Sequence, residues 1–82
     1  MNKIIQLICP DQKGIIAQIT SIINNSNGNI ISIEQYVDNE NNNFYIRLVI
    51  DNQEKAEFPK KDLVDLAIKL NGKINIFDLE KK

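Results

Sequence analysis

Two stripes of apolar residues at helical spacing, set among four runs that alternate every second residue, leave few folds open to this 82-residue chain. Ile5, Leu7 and Cys9 alternate with Ile4, Gln6 and Ile8, so Lys3–Cys9 reads as a strand apolar on both faces, hence central, stopped by Pro10. From Lys13 to about Ser26, the residues Ile15, Ile16, Ile19, Ile22 and Ile23 cover one helical face, and Asn27-Gly28 supplies a left-handed stop. Asn29–Val37 reads as a second strand. Ile31, Ile33 and Val37 share one of its faces and Ser32, Glu34 and Tyr36 the other, a mixture that suits an edge. A polar turn over Asp38–Asn43 leads into Phe44–Ile50, with Phe44, Ile46, Leu48 and Ile50 inward, closing a hairpin. After a charged connection over Asp51–Glu57, Pro59 takes the first helical position and Leu63, Leu66, Ala67 and Leu70 form a second stripe, ended by Asn71-Gly72. Lys73–Leu79 returns as a fourth strand with Ile74 and Ile76 on one face, followed by a Glu80-Lys81-Lys82 tail.

The order βαββαβ, with two right-handed crossovers, predicts an α+β ferredoxin-like sandwich. Its sheet has four antiparallel strands in the order 4-1-3-2, both helices lie on one face, and the second and fourth strands are edges. Residues 1–82 read as a single domain. A chain this short buries only about 60–65 % of its unfolded surface, so association with a second copy is a natural source of added stability.

Composition narrows function chiefly by exclusion. The formal net charge of −1 gives no electrostatic footprint for nucleic acid or an anionic membrane surface. Histidine is absent and there is one cysteine, which excludes an intrachain disulfide and removes the commonest general base and metal ligand. No Ser/His/Asp set, phosphate-binding glycine loop or metal-ligand spacing is present, so no catalytic residue, cofactor or metal is expected within this chain. Asp38, Glu40 and the asparagines around them lack the spacing of a calcium loop and read as a solvated hairpin turn. Phe44, Tyr45 and Arg47 have no aromatic counterpart on the first strand, which argues against an RNA-stacking sheet. With no apolar leader and no apolar run near ~20 residues, the expected setting is cytoplasmic.

Chemistry concentrates in Cys9-Pro10-Asp11-Gln12-Lys13-Gly14, a strand, a tight turn and the start of a helix. Gly14 leaves the first helical amides open to a small anion such as a carboxylate, and Asp11 is placed to hold an ammonium group. Equally, Asp11 is placed to cap the helix and Gly14 to relieve the turn. Asn29 offers an amide to an effector across a subunit interface, or plain turn chemistry. Cys9, near a helix N-terminus, is either a thiol of lowered pKa or a small packed side chain.

Cys9-Pro10-Asp11-Gln12-Lys13-Gly14-Ile15-Ile16-Ala17, read with Gly28-Asn29-Ile30-Ile31 and Gln35-Tyr36-Val37-Asp38, resembles the ACT domains. Phe44-Tyr45-Ile46-Arg47-Leu48 and Ile74-Asn75-Ile76-Phe77-Asp78 extend the likeness to the N-terminal regulatory domains of the formyltetrahydrofolate deformylases. Lys13 stands where many ACT turns carry proline, which leaves the loop less preset. The resemblance implies side-by-side pairing of two copies through an edge strand into an eight-stranded sheet. It implies a small amino-acid effector at the seam, held by Asp11, Gly14 and Ile15 from the turn and Asn29, Ile30 and Ile31 from the second strand. In the deformylases it implies control of formate and tetrahydrofolate release, hence of one-carbon and purine supply, by an amino acid such as glycine or methionine. Their formyltransferase-like catalytic domain, with its Asn, His and Asp, is not expected within these 82 residues. A free-standing ACT-type sensor acting on another protein, and a purely structural dimerisation unit, are the alternatives.

Overall fold

A computed structural model of the chain describes residues 2–52 and 58–78. Its elements are β1 (Asn2–Pro10), α1 (Ile15–Asn25), β2 (Gly28–Asp38), β3 (Asn43–Asn52), α2 (Lys60–Lys69) and β4 (Lys73–Asp78). The four strands form one antiparallel sheet in the order β2-β3-β1-β4, so the expected 4-1-3-2 topology is present, with β2 and β4 at the edges. Residues 53–57 of the expected charged connection, and Leu79 with the Glu80-Lys81-Lys82 tail, lie outside the described residues.

One side of the sheet carries the core. Ile5, Leu7 and Cys9 of β1 and Phe44, Ile46, Leu48 and Ile50 of β3 meet Ile15, Ile19 and Ile23 of α1 and Leu63, Leu66, Ala67 and Leu70 around α2. Ile74 and Ile76 of β4 pack against the margin of this cluster. The helical stripes therefore bury the faces that their spacing predicts. Each fully buried Ile or Leu contributes on the order of 2–5 kcal/mol, judged by the cost of truncation to Ala.

Local details depart from the sequence reading in instructive ways. The left-handed residues that end the helical segments are Asn27 (φ 64°) and Asn71 (φ 64°), not the glycines that follow them. Gly28 and Gly72 are required by crowding instead: a Cβ on Gly28 would lie 2.9 Å from Ile23 Cγ2, and one on Gly72 would collide with the Ile8 carbonyl and lie 2.6 Å from Cys9 Cβ. Pro10 does not stop the strand short of itself but is the last residue of β1, paired with Asn43. Pro59 sits one position earlier than expected, as the N-cap of α2.

The second strand holds the largest departure. Strict alternation places Ile31 with Ile33 and Val37, but the ladder to β3 slips between Ile30 and Ser32. Ile30 then faces Ile50 on the core side along with Ile33 opposite Leu48, while Ile31 is left without a partner in the ladder and is 52 % exposed. An inserted residue of this kind re-aims a side chain and strengthens the local twist.

Candidate functional site

The β1–α1 turn is held in place by three backbone acceptors. The Asp11 N–H donates to the Asn42 carbonyl (2.8 Å), which ties the turn to the β2–β3 hairpin. The Gln12 side-chain amide donates both to the Pro10 carbonyl (2.9 Å) and to the Leu70 carbonyl (3.2 Å) at the end of α2. Two neighbouring elements thus fix a loop that has no regular structure of its own.

Gly14 follows as the N-cap of α1, with φ 82° and ψ 8°, in the left-handed region that glycine enters without a Cβ penalty. Among the described residues no side chain caps the helix, and its first turn carries no acidic residue. Asp11 is therefore not the cap that the sequence offered as one of its readings. The Gly14 carbonyl accepts from the Gln18 backbone N–H (3.0 Å) and from Gln18 Nε2 (3.2 Å), and Lys69 Nζ donates to Gln18 Oε1 (3.2 Å). A side chain added at Gly14 would meet only Gln18 Nε2, at 3.6 Å, so the space outside the helix start is open. Uncapped first-turn amides beside an open glycine can bind a small carboxylate. Ile15 is 3 % exposed and its side chain belongs to the core, so it faces such a ligand only through its backbone.

Asn29, Ile30 and Ile31 are not beside this turn. The ladders set Asn29, Asp51 and Asn2 side by side at one end of the sheet, and Asp38, Asn43 and Pro10 at the other. The eight residue steps from Asn2 to Pro10 correspond to about 26 Å along the strand direction. Within one chain, then, the structure brings Asp11, Gly14 and Ile15 together and leaves Asn29, Ile30 and Ile31 at the opposite end.

Other candidates resolve simply. Cys9 is 2 % exposed, and burial, followed by the negative charge of Asp11, pushes its thiol pKa up rather than down. It is a packed thiol, not an activated one. The Asp38 carboxylate accepts from the backbone N–H groups of Glu40 (3.2 Å) and Asn41 (3.4 Å) and from Asn41 Nδ2 (2.8 Å), and these bonds, that of the Asn41 side chain foremost, hold its pKa low. Among the described residues no group of three or more His, Cys, Asp or Glu is arranged to hold a metal ion, and no helix is long and apolar enough to cross a membrane. Gln12 and Asn42, which anchor the turn, escaped sequence reasoning. Gln12 and Leu70 are 58 positions apart, so no local pattern reports their contact. Asn42 had a weak signal, its place in a run of asparagines, a residue type that tolerates the left-handed φ of 56° it adopts.

Comparison with known proteins agrees with this architecture. The family model described as the ACT domain matches residues 3–63. Formyltetrahydrofolate deformylase of Escherichia coli (strain K12) is 41 % identical over 46 residues, which cover 56 % of this chain and 16 % of that enzyme. The matched stretch is thus a small part of the curated relatives. A crystal structure of a formyltetrahydrofolate deformylase from Pseudomonas syringae pv. tomato superimposes with a TM-score of 0.82 at 25 % identity, over 100 % of this chain and 29 % of that one. An ACT domain protein from Streptococcus pneumoniae superimposes with a TM-score of 0.76 at 31 % identity, over 93 % of this chain and 86 % of that one. Matched by the family model over most of its length, and carrying the βαββαβ sandwich with an open glycine at the first strand–helix turn, the chain belongs to the ACT domain family.

Proposed function

We propose that this ACT domain is a regulatory unit that binds a small amino acid between two edge-paired copies, in the cytoplasm, and thereby tunes a formyltetrahydrofolate deformylase in one-carbon and purine metabolism. One observation carries the binding part: the open, uncapped start of α1 lies at the end of the sheet where β2 finishes, not where β2 begins. Antiparallel pairing of β2 with its twin sets the Asn29–Ile31 segment of one copy beside the Val37–Asp38 end of the other. From that segment the turn of the second copy stands three strand spacings away, about 14 Å, a gap for side chains from both copies and a small ligand to fill. The edge itself favours pairing, because β2 exposes Ile31, Ile33 and Val37 along an unpaired backbone.

In this arrangement the effector carboxylate meets the first-turn amides at Gly14, Asp11 takes the ammonium group, and the Asn29 amide closes the site from the other copy. The test is calorimetric titration of the purified protein with each of the twenty amino acids, alongside its mass by sedimentation. Heat from one small amino acid in a dimer is expected. Gly14→Leu and Asn29→Ala should each abolish that heat while the dimer persists. Binding of undiminished strength in both variants would refute the site, and a monomer at high protein concentration would refute the seam.

A second reading draws on the Streptococcus pneumoniae protein, of which the chain covers 86 %. In this reading the domain senses an amino acid, or simply dimerises, on behalf of a separate partner protein. The reading frame beyond Lys82 separates the two: a formyltransferase-like continuation supports the first, and a stop codon supports the second.

A further inference from the structure

Glycine follows asparagine twice in this chain, at Asn27-Gly28 and Asn71-Gly72, and each pair ends a helical segment. Both asparagines are exposed, and both hold φ at 64°. The two ends are built alike up to that residue. The Asn27 N–H donates to the Asn24 carbonyl and the Asn71 N–H to the Ile68 carbonyl, each at 3.1 Å. Beyond it they part. The Gly72 N–H reaches back to the Ala67 carbonyl at 2.8 Å, the closing bond of a Schellman turn. Among the described residues no helix carbonyl accepts from the Gly28 N–H, for which Ile23 would be the equivalent partner.

The surroundings differ in the same sense. Gly72 lies against β1, where a Cβ would stand 2.6 Å from Cys9 Cβ, and β1 is paired on both sides. Gly28 is crowded by Ile23 of the helix it has just left, and it opens the edge strand β2, opposite Asn52 in the last pair of that ladder. The end of an edge ladder opens more readily than backbone pressed on a central strand.

One reaction of asparagine depends on that contrast. When the backbone nitrogen of the next residue loses its proton to a base in solvent, it attacks the side-chain carbonyl carbon. An N–Cγ bond forms, the Cγ–Nδ2 bond breaks, and ammonia leaves behind a cyclic imide. Water then opens one of the two imide C–N bonds and yields aspartate or isoaspartate, so water is the sole reactant consumed. Glycine favours the attack because no Cβ stands beside its nitrogen. An N–H that donates to a carbonyl must first give up that bond. The chain's other asparagines are followed by residues with side chains, and the Glu40 N–H after Asn39 already donates to Asp38 Oδ1.

We infer that Asn27 is a modification site at which the folded chain deamidates unaided, with the Gly28 nitrogen as the attacking group, whereas the Gly72–Ala67 bond protects Asn71. The reaction needs neither the β2 seam nor an effector. Each event adds a negative charge at the carbonyl end of α1, whose last turn has no basic residue to offset it. The isoaspartate form also lengthens the main chain just ahead of β2, which displaces the entry to the edge strand.

Peptide mapping by mass spectrometry tests it, on the purified full chain aged at mildly alkaline pH, both folded and in concentrated urea. Dividing each folded rate by the rate of the same site in urea removes the effect of neighbouring sequence. On that scale Asn27 should convert at least about 10-fold faster than Asn71, because Gly72 must first break a hydrogen bond and lift from β1. Ion exchange should show a first, more acidic species that elutes with the Asn27→Asp variant. Asn71 converting as fast as Asn27 in the folded chain overturns the protection. Asn27 still intact in the folded chain, after the urea sample has converted, overturns the site.

Discussion

Gly72 joins α2 to β4 where the backbone passes directly over β1, and its replacement by alanine isolates one physical cause. Its φ is not in the left-handed region, so alanine meets no conformational objection there. The objection is space: the new Cβ would collide with the Ile8 carbonyl and lie 2.6 Å from Cys9 Cβ and 3.1 Å from Cys9 Cα. All three atoms belong to the central strand, which is paired on both sides and cannot yield locally. Overpacking against a rigid neighbour costs about 1–3 kcal/mol, and backbone against backbone belongs at the top of that range. A domain of this size has roughly 4–12 kcal/mol of stability in all, so Gly72→Ala should remove a large share. With a loss of about 6 °C per kcal/mol, the melting temperature should fall by roughly 15–20 °C. Gly14→Ala is the control, because there the space is open and only the φ of 82° opposes a side chain. That change should cost about 1–2 kcal/mol. Urea unfolding of the two variants at one protein concentration checks the pair. A loss at Gly72 no greater than that at Gly14 would refute the argument from close approach.

The raised pKa of the buried Cys9 thiol means that the folded state holds its proton more tightly than the unfolded one. Its stabilising share is complete below the ordinary thiol pKa and is lost as pH rises through the folded value; denaturant midpoints from neutral to strongly alkaline pH should fall in the wild type and fall less in Cys9→Ala. The lowered pKa of Asp38 has the opposite sense, its contribution being present above the ordinary carboxylate pKa and lost as pH falls through the folded value; Asp38→Asn should flatten the acid side of the stability profile. Gln12→Ala removes the two bonds to Pro10 and Leu70, and should lower stability by about 1 kcal/mol. Amide exchange by NMR should then show faster exchange of the Asp11–Gly14 amides with the strand order unaltered.

Much of the fold was legible because its determinants are local. The isoleucine spacing of α1 and the alternation through Phe44, Ile46, Leu48 and Ile50 each name a buried face from the neighbouring residues alone. The order of the elements then restricts the sheet to a few topologies, of which 4-1-3-2 is the one observed. The special character of Asp11–Gly14 was equally visible, since glycine at a strand–helix junction signals a backbone need. Its form was not: the sequence offered Asp11 as a cap, whereas Gly14 itself occupies the N-cap and no described side chain caps the helix.

Periodicity in the sequence determined which residues lie inside and which strands are edges, because burial follows from spacing of two or 3.6 along a single element. Tertiary structure alone decided the slip at Ile31, the crowding that demands Gly28 and Gly72, the bridge from Gln12 to Leu70 and the separation of Asn29 from Gly14. Each of these depends on the register or approach of segments distant along the chain. A local pattern carries no record of such distances, since they are fixed only when the strands pair and the helices settle on the sheet.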